Sequence, residues 1–387
     1  MDNPLVLIVA LPLGAAFLNL FLPSFLRKGL ILAGIVLGLV VLRGFYNGRP
    51  PEFELLGAVV LALDKLSLLA LTFIHILSLI IFVFCLKGLD PRTERSFLVL
   101  YPLTVAFANG TVVCPNAFGF LVFWGLSGLT LYGFALLGRG EHSASTAKKT
   151  FIIVGGSDAF LILGLALAGV TSGWSLVGTT VPLSSPAGVF AFVFLLIAAF
   201  AKAGGFPLHT WVPDFSRDAP VESAAFLPAS LDKLLGIYLL TRMMSGYFEV
   251  GPFVRMIVVS LGALTIIIAV MMAMVQHNGR RLLGYHAVSQ VGYMIMGVAS
   301  GSALAFSGGL FHLLNHTLYK SNLFLSLGSV EKRAGSNELD ELGGLARVMP
   351  ATFVMALVGA FSISGIPPFN GFFSKWMIYQ GLLEKAS

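Results

Sequence analysis

Charge is what this sequence has least of. Only 11% of its 387 residues are Asp, Glu, Lys or Arg, against about a quarter in an ordinary soluble domain. With 57% hydrophobic residues, that excludes a soluble globular core and implies a polytopic membrane protein. Long aqueous segments are also missing: the candidates are about 47–64, 88–96, 139–149, 172–186 and 331–349. None is long enough for a soluble domain, so no catalytic head group is expected on this chain. Cysteine is nearly absent. Cys85 and Cys114 lie in or near apolar runs and form neither a CxxC nor a metal spacing, which argues against a structural or redox role. GxGxxG, P-loop and nucleophile-elbow patterns are absent from any loop that could use them, leaving no candidate for covalent or hydride chemistry and no expected cofactor. The N-terminus, MDNPLVLIVALPLGAAFLNLFL, has only Asp2 before its apolar run, with no basic region and no small-residue cleavage site. It reads as a first span and not a cleaved signal.

What is there is a succession of apolar runs. A span needs about 20 residues, and twelve candidates fit: about 4–24, 29–46, 66–86, 97–113, 117–138, 150–171, 187–206, 221–244, 253–275, 282–300, 304–329 and 350–379. The fold expected is an all-α polytopic membrane protein of about twelve transmembrane helices. Pro228 punctuates the eighth span, and Gly365-Ile-Pro-Pro-Phe-Asn-Gly371 interrupts the twelfth. The net charge of +6 reflects loop bias, with no nucleic-acid partner implied, because basic residues gather in cytoplasmic loops. Of the 24 Lys and Arg, six (Arg43, Arg49, Lys65, Arg242, Arg255, Lys385) fall on one side, fourteen on the other, and four (Lys202, Lys233, Lys320, Lys375) on neither. The fourteen mark the cytoplasm. This places the chain in the cell inner (cytoplasmic) membrane with its N-terminus extracytoplasmic.

The four unassigned lysines lie within or at the edge of apolar spans, together with Asp158, Asp232, His312 and His316. A charge at the bilayer centre costs roughly 2.5–3.5 kcal/mol on an insertion scale, so such residues mark ion or proton pathways. Lys202 ends an apolar run and is followed at once by Gly204, Gly205 and Pro207, in FAKAGGFPLHTWVPDFSRD. Irregular backbone at that depth survives only where it is buried in protein or lines a wet cavity; the competing reading is a lysine snorkelling from a helix end. Lys233 follows Asp232, about 100° round the helix from it, so the two need not pair. Pro228 frees a carbonyl upstream that could bond the ammonium or a water; a structural Asp–Lys pair stitching two helices is the alternative. His312, His316 and Lys320 stand at i, i+4 and i+8 on one helix face. Histidine can shuttle protons near neutrality. HxxxH is also a zinc spacing, but Leu313 stands where HExxH requires Glu, and no third ligand is evident. Asp158, among glycines, reads as shaping helix packing or a loop contact, and His209, Trp211 and Asp214 as interfacial and structural, with His209 a candidate entry-point proton carrier. Spans 7 and 12 are both Gly/Pro-broken and both carry a lysine, Lys202 and Lys375, near the break. Five spans separate them, an odd number, so the halves would have opposite topology, as in inverted repeats.

FAKAGGFPLHTWVPDFSRDAPVESAAFLPASLDKLLGIYLLTR, RRLLGYHAVSQVGYMIMG, GGLFHLLNHTLYKSNLFLSLGSV and LGGLARVMPATFVMALVGAFSISGIPPFNGFFSK together resemble the antiporter-like proton-channel subunits. These occur in respiratory complex I, membrane-bound hydrogenases such as formate hydrogenlyase, and Mrp-type cation/proton antiporters. The resemblance runs from about residue 60 to the end. It implies about fourteen helices with two inverted five-helix repeats, spans 4–8 and 9–13. On this chain that gives N-terminal helices over 1–96, a first repeat over 97–246 and a second, truncated one over 247–387. It places the broken-helix lysine on Lys202, the connecting lysine on Lys233, the central axis on His312, His316 and Lys320, and the exit residue on Lys375. It also implies further antiporter-like subunits and a soluble redox arm as partners. The reading is a proton-translocating subunit of a complex I-like or hydrogenase-like complex; the alternatives are an Mrp-type Na⁺/H⁺ antiporter subunit and a proton-inactive scaffold.

Two departures stand out. The family carries a glutamate after an aromatic in span 5, paired with the broken-helix lysine. Here FLVFWGLSGLTLYGF puts Gly125 after Trp124, so either Asp232 supplies the counter-charge or Lys202 lacks its switch. The chain also stops at Ser387, in or just after span 12, where the family continues into span 13.

Overall fold

The computed structural model describes residues 3–46, 48, 51–55 and 57–386; Asp2, Arg49 and Ser387, used above, lie outside the described residues. In a bilayer the first N–H groups of a helix cannot turn to water, so capping side chains set where helices begin. Asn3 caps α1 (Pro4–Leu18). After α2 (Ser24–Phe45), Asp64 caps α3 (Lys65–Cys85), and α4 (Glu94–Val113) follows. Asn116 caps α5 (Ala117–Ala135). α6 (Ser143–Thr150) runs through a π-helical turn (Phe151–Gly155) into α7 (Gly156–Ser172). Ser185, with Pro186 in the first turn, starts α8 (Pro186–Ala203), which breaks before α9 (Trp211–Asp218). α10 (Val221–Phe226), a π-helical turn over Leu227–Leu231 containing Pro228, and α11 (Asp232–Arg242) form one interrupted pass. α12 (Pro252–Met274) follows, then α13 (Gly279–Ala299), capped by Asn278, and α14 (Ala303–Ala334), capped by Ser302. The short α15 (Leu345–Val348) leads to α16 (Pro350–Ser364) and α17 (Asn370–Ala386).

Every expected span contains helix. Eight helical stretches among the described residues are long and apolar enough to cross a membrane. α1 and α16 are shorter apolar helices, while α13 and α14 bury polar side chains inside the bundle, which lowers their apolar character. The pass Val221–Tyr247 is wholly inside the bundle. Ion pairs tie neighbouring helix ends together, Lys28 with Glu94 (2.6 Å) and Lys332 with Glu222 (2.7 Å). The segment 47–64, read as aqueous, holds a hairpin of β1 (Glu52–Leu55) and β2 (Ala58–Ala62), with Gly57 at φ 79°. The pass beginning at 150 starts earlier, at Ser143, because α6 continues into it.

Close approach of backbones fixes the interior. A Cβ at Gly236 would lie 2.5 Å from the Ala203 nitrogen, so α11 lies directly against the end of α8. At both breaks the helix ends on a left-handed glycine, Gly204 at φ 77°, ψ 39° and Gly365 at φ 77°, ψ 38°, a conformation that other residues adopt only with strain.

Candidate functional site

The first break strands the Ala203 carbonyl at the end of α8. Lys233 of α11 reaches it, Nζ donating at 3.1 Å. Lys202, one residue earlier, points the other way, toward α5. Its Nζ donates to the Trp124 carbonyl oxygen at 3.1 Å and to Ser127 Oγ, and lies 4.8 Å from the indole centroid. Both lysines are fully buried. Asp232, buried beside them, is in electrostatic reach of both lysines, and its Oδ2 has no hydrogen-bond partner among the described residues. The proline at 228 does not supply the ammonium's acceptor. Lys233 takes its acceptor from α8 instead, and at the π-helical turn the Ala225 carbonyl accepts from the hydroxyls of Ser230 (2.9 Å) and Ser321 (3.1 Å).

On α14, His312, His316 and Lys320 share one face and are all fully buried. His312 bonds Ser374 Oγ through Nδ1 (2.9 Å) and Gln290 Oε1 through Nε2 (3.2 Å), and Tyr319 donates to the same Gln290 oxygen (3.2 Å). Both ring nitrogens of His316 and the Lys320 Nζ are buried without a protein partner among the described residues. Among these residues no three His, Cys, Asp or Glu side chains converge as a metal site.

The second break repeats the first with a difference. Lys375 sits beyond the break, on α17, and folds back so that Nζ donates to the Ile363 carbonyl at 2.6 Å, 4.9 Å from the Tyr293 ring centroid. In its bond to a stranded helix-end carbonyl, Lys375 matches Lys233; in its seat over an aromatic ring it matches Lys202. Counting back from the two left-handed glycines, the counterpart of Lys202 is Ile363.

The structure also brings in residues whose sequence signal was weak. Asp158 accepts from Trp124 Nε1 at 2.9 Å and faces Lys202 across α5. His286 lies in electrostatic reach of Lys320 and Lys375 with Nδ1 unpartnered. Gln290 and Ser374 brace His312; the polar Ser289-Gln290 pair inside an apolar span was the available clue. Trp211 is buried and donates to the Ala201 carbonyl, Asp214 pairs with Lys149, and His209 is buried with Nδ1 unpartnered. At the basic side of the bundle a cavity of about 510 Å³, lined by Asp218, Glu222, Arg280, Glu331 and Lys332 among others, opens at the start of α10.

A helix bundle with two glycine-broken helices and a buried line of lysines and histidines between them defines an ion-translocating class of membrane protein. Residues 114–387 match the family described as NADH:quinone oxidoreductase/Mrp antiporter, TM, and the chain belongs to it. It is 32% identical, over 89% of its own length and 70% of the relative's, to NADH-quinone oxidoreductase subunit N of Desulforudis audaxviator. It is 27% identical, over 98% of its length and 80% of the relative's, to a Na(+)/H(+) antiporter subunit of Alkalihalophilus pseudofirmus. Among solved structures, a chain of the Mrp complex from Dietzia sp. superposes with a TM-score of 0.88 at 27% identity, covering 99% of this chain and 74% of that one. The protein is thus an integral membrane, antiporter-like subunit of the complex I, Mrp or hydrogenase type, and its structural neighbours belong to multisubunit membrane complexes.

Proposed function

We propose that this chain conducts protons across the cytoplasmic membrane along Lys202, Asp232, Lys233, His316, Lys320, His312 and Lys375, as one subunit of a redox-driven complex. The observation that carries the reading is the run of buried, unpartnered atoms midway along this line: Asp232 Oδ2, both nitrogens of His316, and Lys320 Nζ. A buried polar atom without a protein partner is satisfied by water, and water between titratable groups is what a proton needs to move from one to the next. Each member then responds to its neighbour, since a proton on one group disfavours a second close by. The cavity beside Glu222 is the uptake basin on the cytoplasmic side. Residues 97–246 form one half-channel and 247–387 the other. The partners are further antiporter-like subunits and a soluble redox arm, where any electron transfer takes place.

The test is dye-detected acidification by inverted membrane vesicles containing the full complex. Lys233→Ala and Lys320→Ala should each slow respiration-driven proton uptake by at least roughly tenfold, a floor below the about 10²–10⁴-fold typical of a positioned proton-transfer group, without reducing assembled complex. Unchanged uptake in both variants would sink the proposal. A second reading, a Na⁺/H⁺ antiporter subunit, draws on the match that spans 98% of this chain and is to a relative of that description. Under that reading, Na⁺ added to energised vesicles collapses the pH gradient, and no redox arm accompanies the chain in mild detergent.

A further inference from the structure

Lys202 has three N–H donors. Two are used, on the Trp124 carbonyl oxygen and on Ser127 Oγ, and both acceptors lie on α5. The question is what balances its charge, because α5 carries no carboxylate. The span has Gly125 and Gly128 in the stretch that faces Lys202. A Cβ built on Gly128 would lie 4.0 Å from Lys202 Nζ and 3.7 Å from Asp158 Oδ2; one built on Gly125 would have Asp158 Oδ2 as its nearest neighbour, at 4.0 Å. The Asp158 carboxylate, reaching across from α7, therefore lies over the two positions where α5 has no side chain, and the ammonium of Lys202 approaches the same Cβ position of Gly128. Its other oxygen, Oδ1, is held by Trp124 Nε1 at 2.9 Å. The indole that pins the carboxylate belongs to the residue whose carbonyl receives Lys202. Lys202 and Asp158 do not form a direct ion pair, and Lys202 is the charged group in electrostatic reach of Asp158.

We propose that Asp158 is the counter-charge of Lys202: a carboxylate supplied by α7 in place of one on α5, fixed by Trp124 and acting across Gly125 and Gly128 to hold the ammonium at this end of the relay. Resting on the proton-conduction reading, the assignment makes the first half-channel switchable without a carboxylate in span 5. It divides the two acids by role: Asp158, pinned by Trp124, faces Lys202 over the α5 glycines, while Asp232, which is in electrostatic reach of Lys202 as well as of Lys233, stands between the two lysines and serves the onward step.

The experiment is charge relocation in the full complex, read as proton uptake by inverted vesicles alongside the amount of assembled complex. Asp158→Asn removes the charge while keeping size and a Trp124 acceptor, and is expected to cut the uptake rate by roughly tenfold or more. Asp158→Glu should keep most of the rate, and adding Gly125→Glu to Asp158→Asn should restore a large part of it. The proposal is overturned if Asp158→Asn pumps normally while Lys202→Ala does not; Asp232 is then the counter-charge and proton conduction stands. It is also overturned if Asp158→Asn fails and neither Asp158→Glu nor the relocated glutamate retains activity, which assigns Asp158 to packing. If Lys202→Ala itself pumps normally, the conduction reading fails for this half-channel and the proposal goes with it.

Discussion

At the scale of single residues, the clearest charge pair lies at the rim of the bundle, where Asp64, just before α3, meets Arg242 at the end of α11. Arg242 grips the carboxylate with both terminal nitrogens, Nη2 at 2.7 Å from Oδ1 and Nη1 on Oδ2, and Asp64 also caps α3 through Ser67 N at 2.8 Å. Partial burial opposes the Asp64 charge, but the Arg242 hydrogen bond and charge, with bonds from Ser67, outweigh it and hold the carboxyl below the usual carboxylate range. A depressed folded-state pKa stabilises above the unfolded value, about 3.9, and that contribution disappears as pH falls through the folded value. Asn is as good a helix cap as Asp, so Asp64→Asn isolates the charge. The detergent-solubilised variant should melt below the parent at pH 7, and the two should converge as pH drops below about 4. A gap that persists at low pH would assign the loss to geometry instead.

At the scale of elements, the relay depends on how closely α11 lies on α8. Lys233 reaches the Ala203 carbonyl because Gly236, one turn along, lets the two backbones meet. Gly236→Val would put side-chain atoms into the Ala203 backbone, and the Cβ alone would stand 2.5 Å from its nitrogen. Overpacking of this kind costs about 1–3 kcal/mol; here it should lower the thermal midpoint in detergent and weaken proton uptake together. Loss of uptake at full stability would mean that the helix separation, and not folding, was being read. The same close-packing logic appears at the second break, where a Cβ on Gly371 would lie 1.8 Å from the Ser362 carbonyl oxygen.

At the scale of the whole molecule, the proposed orientation makes a direct labelling prediction. Both native cysteines are buried, so introduced ones can be labelled without background. The proposed topology puts exposed Gly140, between α5 and α6, in the cytoplasm and exposed Glu54, on the hairpin, outside. Gly140→Cys should react with a membrane-impermeant maleimide in inverted vesicles only, and Glu54→Cys in intact spheroplasts only. The reverse pattern would invert the whole assignment, and with it the direction of the uptake basin beside Glu222.

Much of this protein is decided by its sequence. Scarce charge and repeated apolar runs demand membrane helices, because the chain has no other way to satisfy its backbone in a bilayer. Gly204-Gly205-Phe206-Pro207 and Gly365-Ile366-Pro367-Pro368 mark both breaks, since a left-handed cap and a residue without an N–H end a helix locally. The spacing of His312, His316 and Lys320 places them on one face for the same local reason. Which group each side chain meets is not local. That Lys233 closes the Ala203 carbonyl, that Lys375 matches it at the second break while Ile363 stands where Lys202 would be, and that Asp158 lies over Gly125 and Gly128, all depend on helices far apart in the chain. An aspartate among glycines reads as packing until the neighbouring helix is in place. Only tertiary structure decides that its carboxylate shares Trp124 with Lys202, because a charge is defined by what surrounds it and those surroundings come from other spans.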